Sequence, residues 1–340
     1  MMSRFATYLH PQTCLTAKSP HLILFRRYSL PHFSQVRQQL ETHLRDYPSL
    51  PLRKARYSEY LRVHSRKYLK QLLLMGRDKP LERFNLSSPK LSLECEGLEY
   101  CIPGYLYSLG GIMEAIDCMK KGHIDRAYCF SLVGHHAYRN WGHGYCLLNP
   151  QAAAAKYAQT QGFEKILIVD WDLHHGDGTQ SIFSHDPGVY CISIHHGLDL
   201  YMAKLSDLNL GTTTVAARLG HCNIPIFPEN LETSFLEKVN LSGNFYKGLE
   251  SIDVFYSALE KLPWKPNLIL IFSGYDSHVR DCGAGVTNWS NGEFQELTEY
   301  VLDLADRVNC PVISCHGGGY NIPITISAAL SHIRVLANYP

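Results

Sequence analysis

The stretch ILIVDWDLHHGDGTQ, residues 166–180, decides the fold. Its first four residues, Ile166 to Val169, form an unbroken apolar run rich in β-branched side chains, the pattern of a strand covered on both faces. Asp170, Asp172, His174, His175 and Asp177 then crowd into the next eight residues. Burying that much charge is costly without a metal ion or a proton network. The segment therefore reads as a buried strand that runs into a site of chemistry.

Working outward, four more runs have the same character: YCFSLV (128–133), VYCISI (189–194), NLILIF (267–272) and PVISC (311–315). Helical patterns separate them, over about 31–45, 58–75, 109–121, 151–161, 248–262, 291–308 and 323–337, with Gly122 and Gly162 placed as helix C-termini. Strands alternating with helices imply an α/β fold on a parallel sheet. Each strand is followed by polar residues: Gly134-His135-His136, Trp171 to His175, His195-His196, Ser273 to His278, and His316 to Tyr320. In open parallel sheets the strand C-termini share one edge, so these segments are expected to converge there.

Asp172 and His174 are two apart at a strand end, which turns both side chains to one side, and Asp276 offers a third ligand from another strand. Two carboxylates, one imidazole and an open position suit a catalytic zinc, and the same set accepts iron or cobalt. The tandem His135-His136 is suited to proton transfer near neutrality, and Asp170 and Asp177 are left to orient the two rings. Tyr320 follows three glycines that let the backbone approach closely, and its phenol is a candidate donor to a developing oxyanion. On the residues alone, a pair of structural histidines and a core tyrosine remain the alternatives.

Composition narrows the class. Of 340 residues, 45% are hydrophobic and 19% charged, and the formal net charge of +1 provides no broad footprint for nucleic acid or anionic lipid. No apolar run approaches the eighteen or so residues of a membrane helix. The eleven cysteines are odd in number and lack C-x-x-C spacing, which fits buried thiols in a reducing compartment, the cytosol most simply. The eighteen histidines are more numerous than composition alone explains, and many are paired. The first forty residues hold no Asp or Glu but do hold Arg4, Lys18, Arg26, Arg27 and Arg37, a composition shared with organelle transit peptides. The expected division is a targeting or disordered tail over 1–20, a first strand near His21 to Phe25, and one catalytic domain over 21–340. An organellar or nuclear location is the alternative to the cytosol.

The segments GHHA, GYCLLNP, ILIVDWDLHHGDGTQ, SIHH, GYDSH and GGGYN stand in an order and spacing that resembles the histone deacetylase and acetylpolyamine amidohydrolase superfamily. The resemblance implies a three-layer arginase-like fold, with a central parallel sheet of about eight strands flanked by helices. It implies that Asp172, His174 and Asp276 hold one zinc ion and that His136 is the general base. His135 looks like the second, mainly electrostatic histidine, oriented by Asp170 as His136 is by Asp177. Tyr320 stands at the position of the tyrosine that polarises the acetyl carbonyl. Gly144 and Tyr145 fall where the family lines its acyl-lysine tunnel, and Ser193 resembles part of a structural potassium site.

The activity implied is hydrolysis of the N-acetyl amide of lysine side chains in proteins or peptides. Small acetylated amines, such as acetylpolyamines, and longer acyl groups are the alternatives. The near-neutral charge and the lack of a long apolar run lead us to expect no direct nucleic-acid or membrane partner, and the oligomeric state stays open. The chain departs from the family at Ser131-Leu132-Val133-Gly134, where a proline-proline-glycine entry is common. It departs again over Tyr201 to His221, where only Gly211 and Gly220 replace a glycine-rich segment. Glu94, Glu96 and Glu99 are the candidates for the acid that grips substrate at the rim. No carboxylate lies between Asp281 and Glu293, where polyamine-selective relatives carry a gating glutamate.

Overall fold

A computed structural model describes residues 4–14, 23–24, 28–78, 101–198, 220–232, 234 and 246–339. In chain order the elements are β1 (Phe5–Tyr8), β2 (Ile23–Leu24), β3 (Tyr28–Ser29), α1 (Leu30–His43), α2 (Arg66–Asp78), α3 (Ile102–Lys120), β4 (Arg126–Cys129), α4 (Pro150–Thr160) and β5 (Ile166–Asp170). They continue with α5 (Asp177–Phe183), β6 (Val189–His196), β7 (His221–Ile226), α6 (Glu250–Glu260), β8 (Leu268–Ser273), α7 (Asn291–Val308), β9 (Val312–His316) and α8 (Ile322–Asn338). Seven strands form one sheet in the order β1-β4-β9-β8-β5-β6-β7, and every neighbouring pair is parallel. The five strands read from sequence lie in this sheet with their C-termini along one edge. The central trio β9-β8-β5 carries Tyr320, Asp276 and Asp172 just past those ends.

The strands are buried on both faces, and β4, β5, β8 and β9 are buried at every position. Apolar runs of this kind are stable only between two helical layers. Helix ends follow local rules. At the start of α7, Ser290 and Glu293 form a reciprocal capping box, and the helix closes on Asn309 in the left-handed region (φ 53°). At the start of α4, the Asn149 side chain accepts the Ala152 N–H (2.9 Å) ahead of Pro150, and its amide donates to Thr179 Oγ1 (2.9 Å) on α5. That second bond fastens the α4 entrance to the helix that follows the DxDxHH segment.

Three readings are corrected. The expected tail over 1–20 contains β1, an edge strand of the main sheet with all four residues buried, paired in register with Arg126 to Cys129. Arg4, at its start, pairs with Asp125 (2.8 Å), and Arg37 is buried against the Leu9 carbonyl (2.6 Å), so two of the basic residues of the acid-free stretch serve the fold. The strand near His21 to Phe25 is present as Ile23–Leu24, but it pairs antiparallel with Tyr28–Ser29 in a separate ribbon. The single helix over 58–75 is broken: a 3-10 turn at Tyr57–Arg62 ends before Ser65, whose hydroxyl accepts the Tyr68 N–H (3.2 Å) and starts α2. Residues 91–100 and 199–219, which include the rim-acid candidates Glu94, Glu96 and Glu99 and most of the unusual 201–221 segment, lie outside the described residues.

Candidate active site and metal centre

At the sheet edge, Asp172, His174 and Asp276 offer ligand atoms that all lie within 4.8 Å of one another. His174 Nδ1 is 3.1 Å from Asp172 Oδ1 and 3.0 Å from Asp276 Oδ2. Backbone groups fix both carboxylates: Gly318 N–H donates to Asp172 Oδ2 (2.8 Å), and Leu173 N–H donates to Asp276 Oδ1 (2.9 Å). Gly318 must be glycine for this approach, since a Cβ there would stand 2.6 Å from Asp172 Oδ2 and 2.9 Å from Asp276 Oδ2.

The donor set fits a divalent cation. Asp172 and Asp276 are 1% and 0% exposed, and among the described residues Asp276 Oδ2 is buried with no hydrogen bond of good geometry beyond the close approach of His174 Nδ1. Among the described residues, the ion-pair partners of these two carboxylates are histidines only. Burial and the neighbouring Asp172 charge push the Asp276 carboxyl up to about 7. Burial acts the same way on Asp172, but His135 and His174 outweigh it and hold that carboxyl well below the usual range. Two carboxylates that oppose each other's ionisation around one imidazole nitrogen are relieved by a shared cation with carboxylate and nitrogen ligands.

The tandem histidines follow β4. His135 Nδ1 donates to Asp170 Oδ2 (2.9 Å), and His136 Nδ1 donates to Asp177 Oδ1 (2.8 Å). The partner carboxylates place the proton on Nδ1 of each ring and leave Nε2 as the basic atom. The rings lie 3.9 Å apart, His135 stacks on Phe272, and the His136 ring is 6.1 Å from that of His174. Burial lowers His135 to about 4, and burial together with His135 lowers His136 to about 3, so both rings are neutral near pH 7. Burial raises the Asp170 carboxyl well above the usual range, with the Asp172 charge adding to it.

Among the described residues, the other expected site residues also lie near this edge, while the rim-acid candidates Glu94, Glu96 and Glu99 fall outside them. The Tyr320 ring stands edge-on to the His174 ring at 6.4 Å. Gly144 (φ 53°) lies against the base, and a Cβ there would meet the His136 ring at 2.4 Å. Tyr145 also has positive φ (66°), an uncommon conformation for a bulky side chain, and its carbonyl accepts the Tyr105 hydroxyl (3.3 Å). Ser193, one strand over, is in register with Asp170, and its hydroxyl is 3.0 Å from His195 Nδ1.

Two contributors were not read from sequence. His143 Nε2 donates to Asp177 Oδ2 (2.8 Å), beside the Tyr138 hydroxyl (3.2 Å), so Asp177 serves two histidines at once. Burial opposes its ionisation, but His136 and His143 hold its carboxyl well below the usual range. His136, His143 and Asp177 also satisfy the spacing of a metal site, yet His136 Nδ1 and His143 Nε2 both donate to the Asp177 carboxylate, which makes the trio a hydrogen-bond network. The second contributor is Asp281, which contacts the Tyr320 backbone. The only sequence signals for these two were the excess of histidine and the loop position of the aspartate.

The family model described as "Histone deacetylase domain" matches residues 26–336. The chain is 30% identical over 233 residues to the acetoin utilization protein AcuC of Staphylococcus aureus, which covers 66% of this chain and 54% of that protein's length. It is 27% identical over 272 residues to a probable deacetylase of Archaeoglobus fulgidus, covering 79% and 68%. Among solved structures, the HDA15 HD domain superposes with a TM-score of 0.70 over 99% of this chain and 90% of that one, at 21% identity, a likeness of fold. The chain belongs to the histone deacetylase family.

Proposed function

We propose that this protein is a zinc-dependent deacetylase that hydrolyses N-acetyl-lysine side chains of proteins to lysine and acetate. The observation that carries the reading is the joint placement, on one sheet edge, of the Asp172–His174–Asp276 donor set, two histidine–carboxylate dyads and Tyr320. Family membership supports a hydrolase acting on amides. The absence of a carboxylate between Asp281 and Glu293 favours lysine side chains over polyamines.

Asp172, His174 and Asp276 are assigned as ligands, and zinc bound there supplies Lewis-acid polarisation of the amide carbonyl and acidifies water. His136 Nε2, neutral and oriented through Nδ1 by Asp177, accepts the proton of the attacking water and returns it to the leaving amine. His135, held by Asp170 and with its Nε2 3.9 Å from Asp172 Oδ1, is assigned the second, mainly electrostatic role. The Tyr320 phenol donates to the carbonyl oxygen as that oxygen gains charge. Gly144 and Tyr145 are assigned to the wall of the acyl channel. Ser193 and the carbonyls near Asp172 and His174 are assigned to a structural potassium ion.

The test is acetate release by zinc-loaded protein from a pool of acetyl-lysine peptides and, in parallel, from acetylated polyamines. Release from peptides supports the assignment. Release from polyamines alone replaces it with a small-amine deacetylase.

A further inference from the structure

Tyr320 follows three glycines, so something outside its own segment must hold it in place. Asp281 is the residue in position to do so. Its Oδ2 accepts the backbone N–H groups of Tyr320 (2.8 Å) and Asn321 (2.8 Å), and its Oδ1 accepts the Cys282 N–H (2.9 Å). The Asn321 side-chain amide donates to the Arg280 carbonyl (3.0 Å). Asp281 lies five residues after Asp276 in the same loop, and that loop is folded back on itself by Gly283 N–H donating to the Asp276 carbonyl (2.8 Å). At its other end, Tyr275 N–H donates to the Gly318 carbonyl (2.7 Å). The loop that bears the ligand Asp276 and the loop that bears Tyr320 are thus fastened together on both sides of the site.

The helix that follows explains why a carboxylate serves here. Asn321 is the N-cap of α8 but its side chain makes no cap hydrogen bond. The N–H groups of Tyr320 and Asn321 lie just ahead of the first helical turn, where an anion is favoured by the helix N-terminus. Asp281 supplies it across the two loops.

We propose that Asp281 is a positioning residue, which fixes the Tyr320 phenol relative to Asp276 and acts on turnover through Tyr320. The effect on turnover rests on the deacetylase reading; the clamp on the loop does not. Were Asp281 only a helix cap, its loss would lower stability without any special relation to Tyr320.

The experiment uses the zinc-loaded full chain carrying Asp281→Ala or Asp281→Asn, each made alone and combined with Tyr320→Phe. Asp281→Ala is expected to lower kcat about 10- to 100-fold with KM and zinc content little changed. Asp281→Asn, which keeps one acceptor oxygen, recovers part of the loss. In the Tyr320→Phe background, Asp281→Ala lowers kcat by less than about twofold, because both changes remove the same contribution. Hydrogen exchange supplies a readout independent of activity: the Tyr320 and Asn321 amides exchange at least about tenfold faster in Asp281→Ala, while those of Val312–His316 do not change. Equal kcat losses in the two backgrounds, or unchanged exchange at Tyr320 and Asn321, overturn the proposal. If wild-type protein releases no acetate from any substrate, the deacetylase reading is what fails, and the exchange data alone decide the clamp.

Discussion

Gly318→Ala tests how tightly the carboxylates are set. Gly318 lies outside the left-handed region, so alanine adopts its backbone without conformational cost, and the consequence is steric. Ordinary van der Waals contact begins near 3.4 Å, and the added methyl would stand 2.6 Å from Asp172 Oδ2 and 2.9 Å from Asp276 Oδ2. It therefore intrudes by about 0.8 and 0.5 Å on one oxygen of each carboxylate of the donor set. Neither carboxylate has room to retreat, since both are buried and fixed by backbone donors at 2.8 and 2.9 Å. Overpacking of this size costs about 1–3 kcal/mol of stability, a shift of a few degrees in Tm. Displaced ligands lower metal affinity by about 10- to 100-fold, and sub-ångström misplacement of reacting groups lowers turnover by about 100-fold. Zinc affinity by chelator competition, acetate release and thermal melting read the three effects. A Gly318→Ala protein that binds zinc and turns over like wild type refutes the assignment of Asp172 and Asp276 to one ion.

Tyr320→Phe retains zinc and loses about 10²- to 10³-fold in kcat, the usual loss for one oxyanion donor, measured by acetate release with metal analysis alongside. Intact turnover removes Tyr320 from the oxyanion role. Asp172→Ala, by contrast, loses zinc itself, and a full equivalent of tightly held metal after dialysis counts against its assignment as a ligand. Stability falls as pH falls below neutrality: burial lowers His332 to about 3, so between its unfolded value near 6.5 and that point only the unfolded chain takes up the proton. That uptake costs about 1.4 kcal/mol at pH 5.5, and His332→Gln removes this share of the pH 7.5-to-5.5 loss in urea unfolding. A variant with the wild-type pH slope contradicts the neutral, buried assignment, in which His332 bonds Thr298 and Ser314.

The central strands were legible because a parallel strand buried on both faces has to be an apolar run, and because the polar residues that follow each run have no other place to gather than the sheet edge. Short or polar elements left no such trace. β1 is four residues long, and β7 carries His221, Asn223 and Pro225, a composition that hides a strand. Among the described residues β7 is the last strand of the sheet, with one further bridge, Ile226 to Tyr246, on its outer side, a position where a proline is tolerated. The break after Arg62 combines the Ser65 cap with long-range contacts of His64 to the Tyr138 carbonyl and the Asn149 N–H and of the Ser65 N–H to the Arg139 carbonyl, which an otherwise helical pattern does not reveal. At the site, the closeness of Asp172 and His174 was readable from their i, i+2 spacing. The link of His143 to Asp177 spans 34 residues and that of Asp281 to Tyr320 spans 39, distances over which only the folded chain creates the contact.

A metal held by Asp172, His174 and Asp276 is expected to be required for amide hydrolysis. This requirement is tested most directly by acetate release from an acetyl-lysine peptide pool, by zinc-loaded protein, by the same protein after chelation and by the chelated protein resupplied with zinc. Release that disappears with chelation and returns with zinc is the predicted result. Release that survives complete removal of the metal contradicts the account.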